Sequence, residues 1–189
     1  MTLRKSALNI DLAEGRCTDA VFTLSPNHDE RPDPEDIHGI VIHNISLPPG
    51  EFGGHFIDDL FLNQLDTTLH PYFEQLRDLK VSSHLLIRRS GELVQFVPFH
   101  QRAWHAGVSS WQGRERCNDF TIGIELEGCD DKPFEDQQYH RLAQVIACLC
   151  ESYPQLNYER ITGHEHIAPG RKTDPGPFFE WDYLRQLLD

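Results

Sequence analysis

The sequence predicts a single α/β domain, and three observations carry that expectation. GIVIHNI (39–45) and FTIGIELEG (120–128) are short, apolar, β-branched runs bounded by turn residues, the pattern of buried strands. FEDQQYHRLAQVIACLCESYP (134–154) repeats apolar residues at Tyr139, Leu142, Val145, Ile146 and Leu149, the pattern of a helix packing one face on a sheet. At 189 residues the chain is long enough for one domain with its own core. Its 39% hydrophobic and 25% charged residues are ordinary for a soluble globular protein.

In chain order, residues 1–37 read as polar and mostly irregular, with the Pro- and acid-rich HDERPDPEDIH (28–38) as an entry loop. Asn9, Asp11 and Glu14 interrupt any apolar stretch behind the basic start, so no signal peptide is expected. The strand at 39–45 carries His43 near its carboxyl end, just before the Pro/Gly loop SLPPGEFGG. Strand ends beside rigid loops are where α/β proteins place site residues. HFIDDLFLNQL (55–65) has apolar residues at 56, 57, 60, 61 and 65 and predicts an amphipathic helix. SHLLIRR (83–89) and ELVQFVP (92–98), split by Ser90 and Gly91, predict a β-hairpin. AWHAGVSSWQGRERCN (103–118) reads as a loop whose aromatics and arginines suit a ligand wall or a solvated surface. On the strand at 120–128, Glu125 and Glu127 lie two apart and share a face; one faces a site or both face solvent. Tyr158–Ile161 predicts a short strand, and PFFEWDYLRQLLD (177–189) a closing helix.

Between these last two lies TGHEHIAPGRKTDPGP (162–177), with no helical or strand period. Its prolines and glycines predict a loop of fixed turns. It crowds two histidines, a glutamate, two cations and an aspartate together, which suits a metal site with a catalytic cation. A catalytic zinc takes three protein ligands and leaves a position open; His43, His164 and Asp174 offer two imidazoles and a carboxylate. A nearby carboxylate, for which Glu125 is the candidate, can move a proton from water to a leaving amine. Lys172 can steady an oxyanion. The parts suit metal-assisted amide hydrolysis. There is no HExxH, however, and eleven histidines offer many other triads.

The net charge of −13 argues against nucleic acid or an anionic membrane as partner. An acidic ligand needs a local basic cluster, for which Arg114, Arg116, Arg171 and Lys172 are the candidates. Five cysteines without CxxC spacing read as free thiols of a reducing compartment.

VIHNISLPPGEFGG, SHLLIRRSGELVQFVPF, RAWHAGVSSWQGRERCNDFTIGIELEG and TGHEHIAPGRKTDPGP, in that order, resemble the bacterial N-acetylmuramoyl-L-alanine amidases that act on anhydro-muramyl peptides. The wider family includes phage amidases and peptidoglycan recognition proteins. The resemblance runs from about His38 to the C-terminus. It implies a central mixed β-sheet flanked by helices, with residues 1–37 an N-terminal extension packed on a zinc amidase domain of residues 38–189. It also implies His43, His164 and Asp174 as ligands of one Zn²⁺ per chain, Glu125 as the catalytic glutamate and Lys172 as the lysine that stabilises the transition state. Asn44, Trp104 and Arg116 fall in motifs that line the muropeptide cleft of relatives. The implied reaction cuts the amide between the lactyl group of anhydro-muramic acid and L-alanine during cytoplasmic cell-wall recycling, with anhydro-muropeptide as partner and no nucleic acid, membrane or obligate protein partner. His166 departs from relatives that carry a small polar or acidic residue there; it is expected to hydrogen-bond beside the ligands. Two other classes compete. A non-catalytic muropeptide-binding module typically lacks a zinc ligand, whereas all three are present here. A thiol hydrolase built on Cys117 or Cys129 lacks an activating context.

Overall fold

A computed structural model describes residues 8–189. At its centre lies a six-stranded sheet of β1 (Val21–Phe22), β2 (Gly39–Ile45), β3 (Leu85–Ile87), β4 (Leu93–Gln95), β5 (Thr121–Glu127) and β6 (Ile161–Gly163). The order across the sheet is β6-β2-β5-β3-β4-β1. All neighbours run parallel except the β3–β4 hairpin, so the sheet is mixed. The helices are α1 (Phe56–Phe61), α2 (Asp136–Ser152), α3 (His164–Ile167) and α4 (Trp181–Leu188).

β2 and β5 are adjacent, parallel and central, which is why their sequences are apolar almost throughout. Their pleat divides the work of the two faces. Ile40, Ile42, Ile122, Ile124 and Leu126 pack into one core with Tyr139, Leu142, Val145, Ile146 and Leu149 of α2 and Leu184 of α4. Each fully buried aliphatic side chain there contributes about 1.5–3 kcal/mol as an upper figure. The alternate positions, His43 on β2 and Thr121, Gly123 and Glu125 on β5, face the opposite side. A second cluster on α1 and Phe73 covers Leu86 and Val94.

The start of α2 is pinned to the sheet. Gln138 Oε1 accepts from the Glu135 N–H, and its Nε2 donates to the carbonyls of Ile87 and Glu127, at the ends of β3 and β5. The hairpin turn uses Gly91 at φ +79°, a conformation open to glycine without strain.

Several elements differ from expectation. α1 spans Phe56–Phe61 instead of 55–65, because the chain turns at Asn63 (φ +58°), although Leu65 still packs below. α4 starts at Trp181 instead of 177. Phe179 sits in a turn from the Gly176 carbonyl and buries its ring near Phe134 and Tyr139. The short strand lies at Ile161–Gly163, since Asn157–Arg160 close a turn. The stretch 162–177 is not loop throughout: it finishes β6 and forms the single turn α3. Elements of three and four residues are too short to print a period.

Residues 8–37 enter the same core as the rest. Leu8 and Cys17 join the α2 cluster, and His28–Glu30 pairs antiparallel with Gln101–Ala103. The Arg31 guanidinium is buried and donates to the carbonyls of Phe99, Asn118, Asp119 and Thr121 at 2.8–3.2 Å. Burial lowers its pKa to about 10, so it stays cationic at neutral pH. The basic start of the chain, residues 1–7, lies outside the described residues. Among the described residues no helix is long and apolar enough to cross a membrane, and all five cysteines are free.

Candidate active site

Three elements deliver the candidate ligands to the carboxyl end of the central strands. His43 lies on β2 and is the register partner of Glu125 on β5. His164 opens α3, directly after β6. Asp174 comes from the loop that follows, whose backbone is tied down where the Glu165 N–H donates to the Asp174 carbonyl at 2.8 Å. In a parallel sheet all three connections leave the same edge, so residues over a hundred positions apart in sequence meet there.

They meet closely. His43 Nδ1, His164 Nδ1 and Asp174 Oδ2 are each 3.0 Å from the other two. Both imidazoles are buried and the carboxylate nearly so. The far edge of each ring is held. His164 Nε2 lies 3.1 Å from the Ala106 carbonyl, and His43 Nε2 lies 2.9 Å from His105 Nδ1. Burial depresses the His43 pKa to about 4, against the pull of Asp174. Burial likewise holds His105 and His84 well below the usual histidine range. Two imidazole nitrogens and a carboxylate oxygen, packed 3.0 Å apart in a nearly dry site, fit a divalent cation at about 2 Å from each, and the N,N,O donor set suits zinc. Among the described residues this is the group of His, Cys, Asp and Glu side chains arranged to hold a metal ion.

Glu125 sits beside this triad on the neighbouring strand. Its carboxyl is buried, and among the described residues Oε2 has no hydrogen-bond partner. Burial, reinforced by the Asp174 charge, raises its pKa well above 4.5, while Lys172 opposes that rise. Both Glu125 and Lys172 line an open cavity of about 790 Å³, together with the three candidate ligands.

The remaining expectations divide. Asn44 and Trp104 line the cavity. Asn44 uses its amide hydrogens on Asp130 and the Pro175 carbonyl, bracing the Asp174 loop. Arg116 does not line the cavity; it is exposed and pairs with Asp119. The expected basic cluster does not assemble. Arg114 pairs with Asp36 and stacks on Phe120, while Arg171 donates to the Ala106 and Val108 carbonyls. Lys172 and Arg171 alone of the four reach the cavity wall. His166 stays out of the triad: its Nδ1 accepts from the Gly163 N–H, and the ring is mostly exposed. Cys117 is buried outside the cavity wall and Cys129 is on it. Burial raises the pKa of both thiols, the opposite of an activated nucleophile. The residues that sequence reasoning passed over are His105, assigned only to a general ligand wall, and Asn118 and Thr121, never singled out. The only signal available was the placement of a histidine directly after a tryptophan and just before an Ala-Gly pair in a loop.

A family model for N-acetylmuramoyl-L-alanine amidase matches residues 33–177. The 1,6-anhydro-N-acetylmuramyl-L-alanine amidase AmpD of Citrobacter freundii is 56% identical over 177 residues, 94% of each chain. A crystal structure of an AmpD derivative superposes with a TM-score of 0.91 at 56% identity, covering 95% of this chain and 99% of that one. The Escherichia coli amidase AmiD, solved with anhydro-N-acetylmuramic acid-L-Ala-D-γ-Glu-L-Lys, aligns with a TM-score of 0.60 at 32% identity over 80% of this chain and 57% of that one. The chain belongs to the N-acetylmuramoyl-L-alanine amidase family and has its fold.

Proposed function

We propose that this member of the amidase family is a zinc-dependent hydrolase. Its substrate would be the amide between 1,6-anhydro-N-acetylmuramic acid and the L-alanine of a stem peptide, released during peptidoglycan turnover and recycled in the cytoplasm. The observation that carries the reading is the meeting of His43 Nδ1, His164 Nδ1 and Asp174 Oδ2 at 3.0 Å, with the buried, under-partnered Glu125 carboxyl beside them. The AmpD and AmiD relatives name the anhydro-muramyl substrate class.

In this reading His43, His164 and Asp174 hold one Zn²⁺. When bound, the ion lowers the pKa of water and polarises a carbonyl oxygen. Glu125 takes the proton from the attacking water and delivers it to the departing L-alanine nitrogen. Its raised pKa suits both halves of that task, because the carboxyl accepts a proton readily and still releases it. Among the described residues the Lys172 ammonium on the cavity wall has no hydrogen-bonded partner to hold it elsewhere, and it offers a positive charge to the oxyanion. Asn44 and Trp104 form part of the wall against the sugar and first peptide units. Arg116 would reach only a stem peptide that extends past the cavity.

Elemental analysis of the purified protein, run beside cleavage of an anhydro-muramyl tripeptide with and without chelator, tests this. The expected result is about one zinc per chain and chelator-sensitive release of free peptide. Tight binding of the intact muropeptide without cleavage, in zinc-loaded folded protein, would sink the enzymatic reading.

A further inference from the structure

We infer that His105, Thr121 and Asn118 are positioning residues that fix the tautomers of His43 and His164, so that each ring presents a bare Nδ1 to the cation. This deepens the metal-site reading and rests on it.

The chain of hydrogen bonds can be followed from an atom that has no choice. The Cys117 carbonyl can only accept, and Thr121 Oγ1 lies 2.7 Å from it. The single hydroxyl proton of Thr121 therefore points there. Thr121 Oγ1 is also 3.2 Å from His105 Nε2, and with its proton committed it must accept from an Nε2–H. A neutral ring protonated at Nε2 is bare at Nδ1. His105 Nδ1 faces His43 Nε2 at 2.9 Å, so His43 donates from Nε2 and keeps its own Nδ1 bare. That Nδ1 is the atom in the triad, 3.0 Å from Asp174 Oδ2, which also only accepts, so relay and carboxylate compete for the His43 proton until a cation sits between them. The second branch is shorter. His164 Nε2 faces the Ala106 carbonyl at 3.1 Å; Arg171 Nη2 also lies 3.5 Å from it but commits its two hydrogens to the Ala106 and Val108 carbonyls at 2.6 and 2.7 Å, so His164 donates from Nε2 and leaves Nδ1 to the triad.

Both branches end on adjacent residues, 105 and 106. Asn118 Oδ1 accepts from the backbone N–H of each, at 3.1 and 2.7 Å, which fixes the dipeptide that orients both ligands. The His105 ring is seated on β5 over Gly123, where a Cβ would lie 2.5 Å from its Cγ. Thr121, Gly123 and Glu125 thus occupy alternate positions of one strand face: relay acceptor, ring seat and candidate base. Partners of this kind, beyond the ligands, set ring orientation and ligand basicity, and their loss weakens metal binding about 10- to 100-fold.

The test reads the tautomers directly. Metal-free, ¹⁵N-labelled protein is studied by long-range ¹H–¹⁵N correlation at a pH where the rings are neutral, and zinc affinity is measured by competition with a chromophoric chelator. In the native chain His43, His105 and His164 should all be protonated at Nε2. Thr121→Val removes the acceptor two hydrogen bonds away from the ligand atom. It should populate the Nδ1–H form of His43 and weaken zinc about 10- to 100-fold, while His164 keeps its tautomer. Thr121→Ser should restore both. If Thr121→Val does not fold, His105→Asn against His105→Leu makes the same comparison, because the asparagine oxygen stands where Nδ1 stood. An Nδ1–H at His43 in the native chain overturns the relay, as does a folded Thr121→Val protein with unchanged tautomer and affinity. A native chain with the expected tautomers, switched by Thr121→Val, that takes up no zinc would leave the relay standing and sink the metal reading instead.

Discussion

Glu125 and Glu127 lie two residues apart on β5, on the same face, and both are buried. Their surroundings differ. Glu127 Oε1 accepts from the Gly53 N–H at 2.6 Å and Oε2 from the Arg89 N–H at 3.0 Å, with the Arg88 guanidinium 3.9 Å away. Glu125 has none of this, and among the described residues its Oε2 is without a hydrogen-bond partner. A carboxylate with both oxygens engaged is a tie between segments. A carboxylate kept dry and under-partnered destabilises the fold, and such strain is characteristic of groups held ready for chemistry. The same residue type on the same strand therefore does opposite things, and the neighbours decide which.

The sharpest way to break this comparison is Glu125→Ala. It should lower amide cleavage by about a thousandfold or more while one zinc per chain remains bound. Full activity in that variant would end the proton-transfer assignment. Lys172→Ala comes next, with kcat expected to fall about a hundredfold and little change in metal content; a change confined to KM would move Lys172 from the oxyanion to substrate binding. Glu127→Ala should leave metal content intact and destabilise the protein by about 2–3 kcal/mol, since the Gly53 and Arg89 N–H groups lose their acceptor. Thermal unfolding in which Glu125→Ala costs more than Glu127→Ala would invert the comparison.

A subtler effect concerns pH. Folding raises the Glu125 pKa above its ordinary 4.5, so between those two values the folded chain holds a proton that the unfolded chain has released. Stability of the metal-free protein falls as pH rises through that window. Glu125→Gln lacks this loss. Its advantage over the native chain should be absent below pH 4.5, grow as pH rises, and level off above the folded pKa of Glu125. Unfolding curves of both proteins across that range check the sign. The smallest effect expected is at Arg116. Its exposed guanidinium lies off the cavity wall, so Arg116→Ala should raise KM only about two- to fivefold and leave kcat unchanged.

The sequence was most legible where one residue type has one explanation. The isoleucines and valine of β2 and the isoleucines of β5 announce buried strands, and the five apolar positions of α2 announce the face that covers them. Residue types alone offered His43, His164 and Asp174 as one triad among many, because 131 residues separate His43 from Asp174 and only sheet topology brings them together; the resemblance to a known family selected it. The basic cluster failed for a reason written in composition. With 30 acidic and 17 basic side chains, an exposed arginine finds a local carboxylate first, as Arg114 finds Asp36 and Arg116 finds Asp119. Asn118 and Thr121 were invisible for a different reason. Their importance lies in which atoms they accept from, and spacing does not encode that.

The buried Arg31 sets an order of events on the ribosome. Its four carbonyl acceptors belong to residues 99 and 118–121, between 68 and 90 positions later in the chain. Until those residues emerge, its charge stays in water and the turn that feeds β5 has no anchor. His164 and Asp174 emerge later still. The candidate site therefore cannot assemble on a partly synthesised chain until the stretch 162–177 has followed the strands that support it.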